Sequence, residues 1–200
     1  MANEPNYSSN PSKDEPKKEK VRVIPLEYID EFPGHPFKVL DDESMQKLMN
    51  SIEEIGVQSP IVARIKEDQR YEIVSGHRRV HACRRLGLKL IPAIVRDLSR
   101  DEAIIAMVDA NLQREHILPS EKAAAYKMKM DAMKRKAGRP SNNLSPVATN
   151  KMPVDTAAEI GSVTGESRDQ IFRYVRLTEL VPELLEMVDR ESIAFRPAVE

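Results

Sequence analysis

Up to residue 95 the apolar positions come in short strand-like runs, and from residue 99 onward they recur three and four apart. That change of period separates a strand-bearing first half from an all-helical second half. In the first half, residues 21–26 (Val-Arg-Val-Ile-Pro-Leu) predict a strand. Asp41-Asp42-Glu43-Ser44 opens a helix with Met45, Leu48, Met49, Ile52 and Ile55 on one face and Gly56 as its C-cap. Further strands are expected at 60–65, 70–74 and 91–95, with a helix from Gly76 to near Gly87 between the last two. Strands separated by helices define a small mixed α/β domain.

The second half opens with the capping box Ser99-x-x-Glu102, followed by Ala103, Ala106, Met107 and Ala110 on one face. Pro119-Ser120 starts a longer helix carrying Ala123, Tyr126, Met130, Met133 and Ala137. Three prolines and three asparagines within 138–153 predict a flexible loop. Beyond it, Thr156-x-x-Glu159 and Ser167-x-x-Gln170 open helices to about 163 and 178, joined by Thr164-Gly165-Glu166. Two short helices around a glycine-containing turn are a helix-turn-helix pattern. Ile171, Val175 and Leu177 are expected to face inward. Residues 193–200 read as the start of another helix with Pro197 in its first turn, and the chain is therefore expected to be a fragment of a longer protein, or else a variant that relies on other contacts to pair. The expected organisation is α+β: a disordered tail at 1–20, an α/β domain at 21–98, a helical joining segment at 99–137, the loop, and a helix-turn-helix region at 154–200.

A hydrophobic fraction of 40% without tryptophan, and with only 4% aromatics, calls for an aliphatic, Met-rich core. No run approaches the length that spans a bilayer, so no membrane role is expected. One cysteine, Cys83, excludes a disulfide framework and suits the cytoplasm; its position calls for a buried, inert thiol. The net charge of -1 conceals an asymmetry: residues 76–139 carry 15 Lys/Arg against 7 Asp/Glu, and both flanks are acidic. A basic middle between acidic flanks implies a local anionic partner.

The candidate chemistry follows that charge. Gly76-His77-Arg78-Arg79 stands where a strand becomes a helix, so backbone amides, a positive helix end and two guanidiniums meet at a phosphate-sized corner. Asn111 and Arg114, three apart at the end of a helix, can face the same pocket. Ser167, Arg168 and Gln170 suit base edges at the start of a recognition helix, and Arg173 and Arg176 suit phosphates further along. Arg139, in Gly138-Arg139-Pro140 after Lys134-Arg135-Lys136, suits a narrow minor groove, although a solvated helix end is the more ordinary reading. His77 and His81 have a chelating spacing, but no carboxylate completes a set amid cations, so both are expected to be polar and partly exposed, and no metal is assigned.

These motifs, in this order over roughly residues 21–195, resemble the ParB partition-protein family: Val74-Ser75-Gly76-His77-Arg78-Arg79, then Asn111-Leu112-Gln113-Arg114-Glu115, then Ser167-Arg168-x-x-Ile171-x-x-x-Val175-Arg176-Leu177. The resemblance implies a ParB/sulfiredoxin-like N-terminal domain followed by an all-α helix-turn-helix domain. It implies a homodimer on centromere-like double-stranded DNA, CTP with Mg2+ at the two boxes, a ParA-like partition ATPase as partner, and a mobile genetic element or chromosome as cargo. Gly76, Arg78 and Arg79 match the first box, and Asn111 and Arg114 the second. His77 stands in place of one family glutamate and Ala110 in place of another, the one that serves magnesium and hydrolysis. CTPase activity is therefore expected to be weak or absent. Two other readings are a ParB-like nuclease and a nucleotide-free adaptor or transcriptional regulator. A sulfiredoxin-type enzyme is excluded because Cys83 lies well beyond the Gly76 corner.

Overall fold

The computed structural model describes residues 19–114, 116–138 and 155–200. The strands β1 (Val21–Pro25), β2 (Ile29–Asp30), β3 (Ile61–Ile65), β4 (Tyr71–Ser75) and β5 (Leu90–Arg96) form one mixed sheet in the order β1-β5-β3-β4-β2. β1 runs antiparallel to β5, β5 parallel to β3, β3 antiparallel to β4, and β4 parallel to β2.

Side-chain alternation divides the sheet between two cores. Ile61 of β3 and Ile73 of β4 point to α1 (Glu43–Ile55) and α2 (His77–Arg85), where they join Met45, Met49, Val80 and Cys83. Their neighbours Val62 and Val74 join the opposite core with Met107 and Val108 of α3 (Arg100–Leu112). The buried Cys83 matches expectation. Asp42 starts α1 by accepting from the Met45 amide at 2.8 Å, and Ser99 and Glu102 form the expected capping box on α3.

α4 (Pro119–Gly138) is buried on two faces. Ala125 and Ala132 pack toward α3, whereas Tyr126, Met130 and Met133 pack against α5 (Thr156–Thr164) and α6 (Arg168–Leu177). α7 (Pro182–Asp189) and α8 (Phe195–Val199) close a last cluster around Leu177, Val188 and Val199. Asp189 of α7 accepts both the amide (2.9 Å) and the hydroxyl of Ser120, fastening α7 to the first turn of α4.

The pattern misplaces several residues. Ile55 is 62% exposed because the last turn of α1 overhangs the core. On α3 the buried face includes Ile104, Val108 and Asn111, and Ala110 is exposed; the larger branched side chains take the interior. Ala137 is exposed. Asp155, not Thr156, caps α5 by accepting from the Ala158 amide, and Thr156 is buried instead. β2 and α7 were not anticipated: β2 has two residues, and the apolar positions of α7 are split between buried Val188 and exposed Leu184 and Met187. Residues 1–18 and 139–154, which hold most of the expected tail and loop and Arg139, lie outside the described residues.

Candidate functional site

Gly76 makes the turn from β4 into α2. Its φ of +102° is one that L side chains rarely adopt, and a Cβ there would lie 2.7 Å from Ile61 Cγ2. Among the described residues no side chain caps α2, so its first amides face outward at the positive end of the helix. They open on a cavity of about 620 Å³ bounded by α1, α2 and the end of α3.

Arg78, Arg79, Asn111 and Arg114 all line that cavity, so both sequence boxes meet in one place. Among the described residues that line it, none is an aspartate or a glutamate. Arg78 donates to the Ser44 hydroxyl and stands 3.9 Å from Asp42, whose carboxylate already accepts from the Met45 amide. Arg79 is held by backbone carbonyls, donating to Pro60 O at 2.6 Å and to Ser59 O. Arg114 sits over the Phe37 ring, 5.6 Å from its centroid. Burial lowers the pKa of both Arg79 and Arg114, the neighbouring Arg78 adding to the effect at Arg114. Asn111 is buried, and its amide nitrogen donates to Met107 O at 2.8 Å, which leaves its side-chain oxygen as an acceptor. Ser44, Ser59 and Phe37 were not foreseen; they come from a helix and loops whose local sequence carries no mark of a site.

His77 departs from expectation. It is only 8% exposed and stacks on His35 with ring centroids 3.6 Å apart. Burial, then His35 and Arg114, brings its pKa down to about 3, so the ring is neutral. The Nε2 atoms of both rings are buried without a hydrogen-bond partner among the described residues. His81 turns away to Asp41 at 2.9 Å. The chelating pair therefore does not form, and no group of three metal-ligating side chains occurs among the described residues.

The other candidate surface is α6. Ser167 caps it, accepting from the Gln170 amide at 3.2 Å. α5 and α6 are joined by Gly165-Glu166-Ser167, and Gly161 of α5 lies against that turn so closely that a Cβ would meet Glu166 O at 2.4 Å. Glu166 is tied to α4, pairing with Lys122 and accepting from Tyr126 Oη at 2.9 Å. Arg168, Arg173 and Arg176 are exposed and Gln170 is half-buried. Arg168 pairs with Asp155 at 2.6 Å and covers the Phe172 ring, and Arg176 donates to Val199 O at 2.9 Å. Near the end of α4, Arg135 and Lys136 pair with Asp101 and Glu102 of α3. Among the described residues no helix is long and apolar enough to cross a membrane.

A small mixed sheet with an arginine-lined cavity at a strand–helix corner, followed by paired short helices, defines an α+β protein of mixed-sheet and helical parts. The chain belongs to the ParB family: the ParB N-terminal domain model matches residues 10–112. It is 33% identical over 170 residues to the chromosome-partitioning protein Spo0J of Thermus thermophilus, covering 85% of this chain and 55% of that protein. It is 36% identical over 163 residues to a probable chromosome-partitioning protein ParB of Mycobacterium leprae, covering 80% and 43%. The chain thus spans about half the length of the curated relatives it matches. Among solved structures, the C-terminally truncated Caulobacter crescentus ParB complexed to the centromeric parS site aligns with TM-score 0.55 and 26% identity, covering 89% of this chain and 82% of that one. A Pnob8-like ParB N-domain aligns with TM-score 0.57 at 17% identity, over 90% and 78%, a likeness of fold. The Caulobacter protein complexed with CTP-gamma-S aligns at TM-score 0.44 and 28% identity, over 90% of each chain.

Proposed function

We propose that this chain is a cytoplasmic DNA-binding partition protein that recognises a centromere-like site as a homodimer and responds to CTP. The α/β part (21–98) and the joining helices (99–137) hold the nucleotide, and the last part (154–200) reads the DNA. The observation that carries this reading is the convergence of Arg78, Arg79 and Arg114 on one cavity whose described lining holds no carboxylate. Planar guanidiniums and uncapped helix amides are the donors a polyphosphate tail needs.

The DNA half rests on α6, whose exposed Arg168, Arg173 and Arg176 can face phosphates and base edges, and on the 26% identity to a ParB bound to parS. A palindromic site suits two copies related by a twofold axis. Hydrolysis is impaired, since Ala110 offers no carboxylate and Asp109 is engaged by Lys129. A ParA-like ATPase is the expected protein partner.

Selection of bound duplexes from a random pool, with and without CTP, tests both halves. An enriched palindrome whose retention changes with CTP is the expected result. A pool that stays random overturns the DNA reading, and an enriched site indifferent to nucleotide overturns the CTP reading.

A further inference from the structure

Resting on that nucleotide reading, we infer that the cavity takes its polyphosphate as the metal-free anion, with Arg78, Arg79 and Arg114 supplying the neutralisation that a divalent ion would otherwise supply. A hard dication such as magnesium seeks carboxylate oxygens in addition to phosphate. The described cavity wall has none. The position on α3 that faces the cavity beside Asn111 is Ala110, exposed and without a donor. The adjacent carboxylate, Asp109, points to the other side of α3, where the almost fully buried Lys129 holds it. Asp42 is engaged at the start of α1 by the Met45 amide and the Ser44 hydroxyl (3.0 Å).

Besides neutral oxygens such as that of Asn111, the charged groups the wall offers are positive. Arg79 is partly buried against two carbonyls with no carboxylate partner among the described residues, so its desolvation is already in place before any ligand arrives. Arg114 stands on Phe37 with Arg78 as its cationic neighbour. Three like charges around one space repel a dication and attract a polyanion. A magnesium ion already on the phosphates would compete with the guanidiniums for the same oxygens and add a fourth repulsion.

Isothermal titration of the full 200-residue chain with CTP, once in EDTA and once in excess magnesium, tests this. The expected affinity in EDTA equals or exceeds that in magnesium, with any weakening by the metal within about tenfold. Inorganic tripolyphosphate is expected to show the same metal indifference. Arg79→Ala is expected to lose binding in both buffers. Ala110→Glu, a change at an exposed position, is expected to make magnesium tighten CTP binding by about tenfold. Tenfold tightening by magnesium in the unaltered chain would overturn the inference and leave the nucleotide reading standing. Absence of CTP heat in both buffers would overturn the nucleotide reading and this inference with it.

Discussion

Asp109 of α3 and Lys129 of α4 form an ion pair in which the lysine side chain is 4% exposed and the aspartate 38%. The two partners are therefore unequal. Removing the aspartate strands a cation in the interior, whereas removing the lysine leaves a carboxylate that water can reach. Asp109→Ala is expected to cost about 3 kcal/mol in urea denaturation, and Lys129→Met less than about 1 kcal/mol. Equal losses from the two would show that the pair is not governed by the buried cation.

Gly76 is fixed twice over, by a φ of +102° and by the approach of Ile61. Gly76→Ala is expected to destabilise the fold by about 2 kcal/mol and to weaken CTP binding more than tenfold, because the first amides of α2 must shift with the turn. Gly87→Ala is the control: its φ of +69° is also positive, but no described atom lies within 4 Å of its Cβ position and it does not line the cavity. It should lose stability and keep the ligand, and a Gly76 variant that binds normally would remove the corner from the site.

The His77–His35 stack gives the fold a pH dependence of known sign. His77 stays neutral in the native state down to about pH 3 but takes a proton near 6.5 when unfolded. The unfolded chain then binds the extra proton, so stability falls as pH drops from about 6.5 toward 3, by at most about 1.4 kcal/mol per unit from this group. His77→Phe is expected to flatten that slope in denaturant melts across the same window. An unchanged slope would assign the acid sensitivity to other groups.

Much of this was legible in the sequence because it is local. Gly76 before two arginines, Ser99 with Glu102 and Ser167 with Gln170 each announce a turn or cap within four residues, and the structure places them as such. The stacking of His35 on His77 was not legible, because the partners lie 42 positions apart and only the sheet and α2 bring them together. The burial of Lys129 follows from α4 packing on two sides, which a one-face helical pattern does not express. Pro182 at the first turn of α7 was a usable start signal, but the split apolar face behind it hid the helix.

Glu166 fastens the turn between α5 and α6 to α4 through Lys122 and Tyr126. Glu166→Ala leaves the fully buried Tyr126 ring with its hydroxyl short of an acceptor, at an expected cost of about 2 kcal/mol. Gly161→Ala, which drives a methyl group into the Glu166 carbonyl, should loosen the same turn. Both are expected to weaken DNA binding while CTP titration stays unchanged, since neither residue lines the cavity. A parallel loss of CTP affinity would mean that the two parts are not separable.

Salt dependence separates the arginines of α6. Neutralising about six phosphates would give a log–log slope of affinity against salt near -5. Arg173 is exposed, whereas Arg176 already serves Val199 O of α8 and Arg168 serves Asp155. Arg173→Ala is therefore expected to reduce the slope by about 1 and to weaken all duplexes alike. Arg176→Ala is expected to lower the melting temperature as well, because it releases the end of α8. If Arg173→Ala instead relaxes preference at one base pair and leaves the slope intact, that guanidinium reads a base edge and the phosphate contacts lie elsewhere.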